Sequence, residues 1–254
     1  MFGVGDIPAE AFFAEYWRQR PVLVKGAARS LADVSVDAAE LRILCDRLER
    51  ARPGIVRRRG RSLFGQYLDL GSPELARISD RYKTITACTR VWFDGVIASE
   101  GEGLGAHYDH SDNFVMQQEG VKRWRLGPPD RIPQADLHRR MLDDPEAGGY
   151  DMPDDAQEFI LEPGDVLYIP LFWGHDGVSV GGPSTSLSLV LNADTPLDVL
   201  LPAMRDALKD DEDWWRPLPA RMDAAMEARL GRLAESLGPN REQFLRAWRA
   251  RLGG

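Results

Sequence analysis

The chain has 254 residues, 43% of them hydrophobic and 28% charged, with a formal net charge of −8. That length suits one large mainly β domain with an appendage. The acidic balance argues against general, sequence-independent nucleic-acid binding, which needs a basic surface, and no apolar run reaches the roughly 20 residues that span a bilayer. The N-terminus carries early acids and no basic segment ahead of an apolar run, so no secretory signal is expected and the sequence predicts a cytoplasmic location. Cys45 and Cys88 sit among apolar neighbours without a paired spacing, which predicts buried thiols and no disulfide or metal site.

Residues 1–88 read as a mixed helical and strand region leading into a barrel. Phe12, Phe13, Tyr16 and Trp17 share one face of a helix expected within residues 8–20, and residues 21–28 (PVLVKGAA) read as a strand. Leu41, Leu44, Cys45 and Leu48 recur at helical spacing over residues 36–51, with Pro53 and Gly54 as the stop. The run that follows collects Arg52, Arg57, Arg58, Arg59 and Arg61; it reads as a solvated loop with carboxylate partners, with a local nucleic-acid contact as the alternative. Residues 62–69 (SLFGQYLD) fit a strand or a helix start, and Ser72-Pro73-Glu74 marks a further helix.

From residue 89 to 194 the texture is strand-like. TRVWFDGVIAS and AHYDHSDNFVMQQ lead to a turn at Glu119-Gly120, then VKRWRLGPPD. Residues 130–157 form a polar excursion with one helical turn around LHRRMLDD, expected to cover a strand-built pocket. Strands resume at QEFILE, DVLYIP, DGVSV and STSLSLVLN, with Gly181-Gly182-Pro183 as hairpin punctuation. Seven or eight short strands predict a closed or sandwiched antiparallel sheet. Residues 195–254 turn helical, and the stripe at Met222, Met226, Leu230, Leu233 and Leu237 packs either on the sheet or in a two-fold homodimer.

Side chains alternate faces on an extended chain, so His107 and Asp109 project from one side. His175 ends a second turn-strand unit that begins at Pro163-Gly164-Asp165. Two imidazoles and one carboxylate on one face suit a non-haem ferrous ion with open positions, which can take a chelating oxo acid. His110 falls on the opposite face and His138 in the excursion, so both read as structural. Lys122 shares parity with Trp124. It is either an inward cation for the distal carboxylate of such an acid or an exposed lysine, with Arg123 and Arg125 on the other face.

Residues 106–130 (AHYDHSDNFVMQQEGVKRWRLGPPD) and 163–180 (PGDVLYIPLFWGHDGVSV), with Gly101 ahead of the His-x-Asp pair, strongly resemble the JmjC or cupin-like 2-oxoglutarate oxygenases. Within that family the likeness is strongest to the asparaginyl hydroxylases of the factor-inhibiting-HIF type, with the ribosomal-protein hydroxylases slightly more distant. The resemblance implies a double-stranded β-helix (jelly-roll/cupin, JmjC type) over residues 89–194, with N-terminal α/β elements and a C-terminal helical extension. It implies Fe(II) on His107, Asp109 and His175, with 2-oxoglutarate as cosubstrate and O2 as oxidant. Lys122 is implied on the distal carboxylate, with Asn113, Ser188 and Tyr67 around the cosubstrate. The implied reaction is hydroxylation of an amino-acid residue in a protein or peptide. A small-molecule or free amino-acid hydroxylase is the alternative, ahead of an N-methyl-lysine demethylase and a non-catalytic metal-binding cupin. Leu104 stands where the family has a threonine, and Ser188 where a second asparagine is expected, with Asn192 nearby.

Overall fold

Gly3–Val4 (β1) pairs with Ile7–Pro8 (β2), and the helix Ala9–Glu15 (α1) follows at once. This is a computed structural model that describes residues 3–195 apart from 87, 143 and 145, together with 198, 201, 202 and 205. The aromatic pattern predicts a longer α1. The helix stops because Arg18 adopts a left-handed conformation (φ 57), in which its backbone N–H donates to the Tyr168 hydroxyl at 2.8 Å and its Nε to Asp112 at 3.0 Å. Tertiary bonds outweigh the helical pattern there, while Phe12 stays fully buried and Trp17 stacks on Tyr168 with centroids 6.0 Å apart.

The strand expected over residues 21–28 is confined to Val22–Val24 (β3), and a short helix, Ala28–Leu31 (α2), takes up its end. Ala38–Ala51 (α3) starts from a capping box. The Asp37 carboxylate accepts from the Glu40 N–H at 2.8 Å, and the Glu40 carboxylate accepts from the Asp37 N–H at 3.2 Å. The arginine run is not a loop. Val56–Arg59 (β4) and Ser62–Gly65 (β5) form a hairpin turned at Gly60, which puts Arg57 and Arg59 on one face and Arg58 on the other.

Pro73–Thr86 (α4), Val91–Ala98 (β6), Ser111–Gly127 (β7), Gln134–Met141 (α5), Gln157–Leu161 (β8), Val166–Ile169 (β9) and Gly174–Asn192 (β10) complete the unit. The strands form one antiparallel sheet in the order β3-β9-β7-β10-β6-β5-β4, with β8 on β7. Two predicted turns are not turns. Glu119-Gly120 and Gly181-Gly182-Pro183 are facing irregularities within the continuous strands β7 and β10, whose register shifts between Val180 and Thr185. Gly120 has a positive φ of 66, and a Cβ there would collide with the Pro183 carbonyl, so only glycine lets the two backbones pass so closely. Beyond the bend pairing continues: β7 pairs β9 on one side and β8 on the other, while β10 runs along both halves. Bending two long strands in this way folds the sheet into the two layers of a double-stranded β-helix.

Strict alternation then divides the side chains. Phe93, Phe114, Met116, Tyr168, Leu187 and Leu189 pack in one core with Phe12, Leu41 and Leu75 of the helices. Val115, Trp124, Leu126, Leu161, Leu167 and Ile169 form a second, inner core. Each fully buried aliphatic side chain contributes roughly 1.5–3 kcal/mol. The buried Asn113, Lys122, Ser186 and Asn192 contribute nothing of that kind. Their presence inside points to function.

Both Cys45 and Cys88 are buried. No helix among the described residues is long and apolar enough to cross a membrane. The chain divides into Met1–Ala193 and Asp194–Gly254. The helices expected over residues 195–254, with their Met222 to Leu237 stripe and dimer contact, lie almost entirely outside the described residues.

Candidate functional site

The segment carrying His107 and Asp109 lies just outside the regular strands yet is pinned on both sides. His107 and His175 exchange backbone hydrogen bonds (3.0 and 2.8 Å), the Tyr108 N–H donates to the Gly148 carbonyl (2.8 Å), and the Phe172 N–H donates to the Asp109 carbonyl (2.9 Å). Alternation therefore holds without a long strand: Tyr108 is buried, while His107 and Asp109 line a cavity. The Nδ1 of His107 lies 2.7 Å from the Gly105 carbonyl, and that of His175 lies 2.9 Å from the Trp173 carbonyl. Because a carbonyl can only accept, each Nδ1 carries the proton and each Nε2 presents a lone pair. The two Nε2 atoms are 3.1 Å apart, and Asp109 Oδ2 lies 3.9 Å from His107 Nε2 and 3.6 Å from His175 Nε2. Three ligand atoms converge within 4.8 Å of one another, and this donor set fits a divalent metal ion held on one face with further positions open.

Burial, and then the neighbouring His107, lower the His175 pKa to about 4, which keeps the ring neutral and able to donate its lone pair. Burial alone would raise Asp109. Electrostatic interactions with the neighbouring His107, His175 and Arg140, with a hydrogen bond from Arg140, instead hold it below the usual carboxylate range.

Arg140 has no counterpart in the sequence reading, which expects the excursion only to cover the pocket. It sits in the last turn of α5, and its Nη2 reaches Asp109 Oδ1 at 2.8 Å. One carboxylate oxygen is thereby occupied and the other turned toward the histidines. The excursion is itself fastened, since the Tyr150 hydroxyl donates to the Pro128 carbonyl at 2.9 Å. Arg140→Met is expected to lower Co(II) affinity about tenfold, the usual effect of removing a partner that orients a metal ligand. A titration followed by the cobalt absorption bands measures this, with wild-type affinity as the contrary result.

Lys122 points inward and is 2% exposed. Its Nζ lies 3.3 Å from Ser186 Oγ and 5.4 Å from the Trp124 ring centroid, and among the described residues no carboxylate stands within ion-pair distance. Burial lowers its pKa to about 8. Arg123, on the opposite parity, is exposed, while Arg125 is half-buried and pairs with Glu158 at 3.8 Å. Asn113 is buried and donates to Ser111 Oγ at 3.2 Å. Ser188 is half-buried beside Asp94 and Val115 in the register, and among the described residues neither it nor Lys122 lines the cavity. Tyr67 does line it, in a left-handed conformation (φ 54), with its ring 5.1 Å from that of Trp92.

His110 is nearer the site than its parity implies, because the chain bends at this residue as β7 begins. It lines the same cavity and accepts at Nε2 from the Asn192 amide at 2.9 Å. It is not one of the three converging groups. His138 is exposed on α5. The cavity encloses about 770 Å³. Trp92 and Asp94 from β6 also line it; their alternation with Val91 and Phe93 is readable in the sequence, but the pairing of β6 with β10 that brings them here is not. Burial, reinforced by the charge of Asp109, pushes the Asp94 pKa up to about 8.

Comparison with known proteins gives this geometry a lineage. Ribosomal oxygenase 2 of Rattus norvegicus is 26% identical over 258 residues, covering 86% of this chain and 54% of the relative. Ribosomal oxygenase 1 of Homo sapiens is 32% identical over 162 residues, covering 60% of this chain and 24% of the relative. This chain thus spans about half, or less, of the length of these curated relatives. YcfD, described as a ribosomal oxygenase from Escherichia coli in complex with cobalt and 2-oxoglutarate, superposes with a TM-score of 0.62 at 19% identity, over 99% of this chain and 72% of its own, and shares the fold. The JmjC domain matches residues 72–199, just over half of the chain, a span that holds all three converging ligands, and the chain therefore belongs to the JmjC domain family.

Proposed function

We propose that the chain is an Fe(II)- and 2-oxoglutarate-dependent oxygenase that hydroxylates an amino-acid residue of a protein or peptide. The observation that carries this reading is the convergence of His107 Nε2, His175 Nε2 and Asp109 Oδ2 with both Nδ1 protons committed to carbonyls. The buried Lys122 supports it further, since an unpaired ammonium in a barrel interior is unfavourable by several kcal/mol unless an anion joins it.

When bound, iron supplies the oxidising chemistry with O2, while 2-oxoglutarate is decarboxylated to succinate. The chain's own part is to bind, orient and exclude water. His107, Asp109 and His175 would hold the metal, with Arg140 fixing the rotation of the Asp109 carboxylate. Lys122, with Ser186 beside it, would receive the distal carboxylate of the oxo acid. Asn113 and Tyr67, which line the cavity, would contact the cosubstrate, with Ser188 on the neighbouring strand. Leu104, at the cavity wall, offers no hydroxyl, while Ser111 and Asn113, which also line the cavity, could offer polar contacts.

Ribosomal proteins are the first substrates to test, because the relatives are named ribosomal oxygenases. A cytoplasmic location suits that target, and a homodimer through the C-terminal helices belongs to the same reading. The protein supplied with Fe(II) and 2-oxoglutarate under air is expected to form succinate, and a candidate peptide to gain the mass of one oxygen atom. Metal binding without succinate under any condition would leave a metal-binding cupin. Oxidation of small molecules or free amino acids in place of peptides would move the substrate class.

A further inference from the structure

We infer that the segment of the prime substrate that enters this cavity is acidic, and that Arg57 and Arg59 on β4 receive its carboxylates. This rests on the oxygenase reading for the meaning of the cavity and adds to it a substrate chemistry.

The whole chain carries −8, yet the charge inside its cavity is inverted. Five cationic side chains line the cavity, Arg57, Arg59, Lys83, Arg90 and Arg140. Of these, Lys83 is already paired with Asp80 at 2.9 Å and Arg90 donates to the Asn192 amide, so the inference rests on Arg57 and Arg59. The acids are three, Asp69, Asp94 and Asp109. Asp109 is matched by Arg140, and the buried Asp94 accepts from the Tyr67 N–H at 3.1 Å. Loading the centre does not reverse this balance. A divalent metal would offset the charge of the dianionic oxo acid. A positive excess remains at the rim, where walls of low dielectric concentrate its field.

Register makes the placement specific. Arg57 and Arg59 share the face of β4 that lines the cavity, while Arg58 projects from the opposite face and is not among the lining residues. Both rim arginines are exposed and, among the described residues, neither has a carboxylate within ion-pair distance. Arg59 instead donates to the carbonyl of Leu104, three residues ahead of His107, which holds its guanidinium beside the ligand segment. Arginines serving only to blunt an edge strand would have no reason to favour the cavity face. Guanidinium groups are suited to bidentate recognition of carboxylates. The opening is also a pocket rather than a broad basic face, which favours a peptide over a nucleic-acid backbone, whose affinity scales with the number of phosphates contacted.

The test uses the full chain loaded with Co(II) and 2-oxoglutarate without oxygen. The probes are fluorescein-labelled peptides alternating glycine with glutamate, serine or lysine, together with a short oligouridylate, each read by anisotropy at low and moderate salt. The glutamate peptide is expected to bind about tenfold more tightly than the lysine peptide, with the preference shrinking as salt rises. The double change Arg57→Glu with Arg59→Glu removes that preference, Arg57→Gln with Arg59→Gln weakens it, and Arg58→Glu, the same change of charge on the other face, alters binding less than about twofold. Thermal melts establish that each variant is folded. Equal affinity for the glutamate and lysine peptides, equal losses from Arg58→Glu and the double reversal, or tighter binding of the oligouridylate would each overturn the inference. Succinate formation, measured in parallel, separates the two claims: succinate without an acidic preference sinks only this inference, whereas an acidic preference without succinate sinks the oxygenase reading and leaves the acidic site standing.

Discussion

His175→Ala is expected to abolish succinate formation and to weaken Co(II) binding by at least ~100-fold. The size of the effect follows from the ring's position. His175 is 4% exposed, its Nδ1 proton is committed to the Trp173 carbonyl, and its Nε2 stands within 4 Å of both other donor atoms. No second imidazole can substitute, because His110 is occupied by the Asn192 amide and His138 is exposed on α5. Fold loss is not the expected cause. The link between the two ligand segments runs through backbone bonds between His107 and His175, which alanine preserves, and the ring centroid lies 4.2 Å from that of His107 and 5.9 Å from that of Trp124. The melting temperature should therefore shift by only a few degrees. His110→Ala is the companion variant and should keep metal binding. Wild-type cobalt affinity in His175→Ala, measured by absorption titration, would remove the basis of the proposed centre.

The three side chains that converge could be read in the sequence because each rests on local geometry. Two-residue spacing on an extended chain fixes the common face of His107 and Asp109, and a Pro-Gly-Asp turn followed by an apolar run fixes where His175 emerges. The inward position of Lys122 was open by parity alone. The structure places it inside, though by a route different from the expected turn: the strand goes straight on through Gly120, and the glycine's left-handed φ bends it without reversing it. Glycine pairs such as Gly181-Gly182 mark a break in regular pleating, but whether that break is a hairpin or a bulge depends on which strand lies opposite, and local sequence does not encode this. Arg140, Trp92 and Asp94 escaped for the same reason. Each reaches the cavity through a long-range pairing, of α5 back onto Asp109 or of β6 with β10, that no spacing records. The early end of α1 likewise depends on Asp112 and Tyr168, more than ninety residues away along the chain.

Lys122→Met should move two observables in opposite directions, which makes it the sharpest test of the cosubstrate site. The ammonium is held at a pKa of about 8 against an ordinary 10.5, with burial as the principal cause and Asp176 pulling weakly the other way. A cation whose folded pKa is depressed destabilises the fold wherever it stays protonated. The penalty is fully present below pH 8, shrinks as the folded lysine loses its proton between pH 8 and 10.5, and vanishes above 10.5. The gap between those values corresponds to about 3 kcal/mol. The empty protein should accordingly gain stability with rising pH across that window, and methionine, which keeps the volume and removes the charge, should raise the melting temperature at neutral pH by roughly 5 °C. The same substitution should erase the rise in melting temperature that 2-oxoglutarate gives the metal-loaded wild type, since no cation remains for the distal carboxylate. In the wild type that carboxylate favours the protonated lysine, so affinity should fall by up to about tenfold per pH unit above pH 8. A methionine variant that melts no higher than wild type, yet still gains stability from 2-oxoglutarate, would show that Lys122 is neither an uncompensated charge nor the group that holds the cosubstrate.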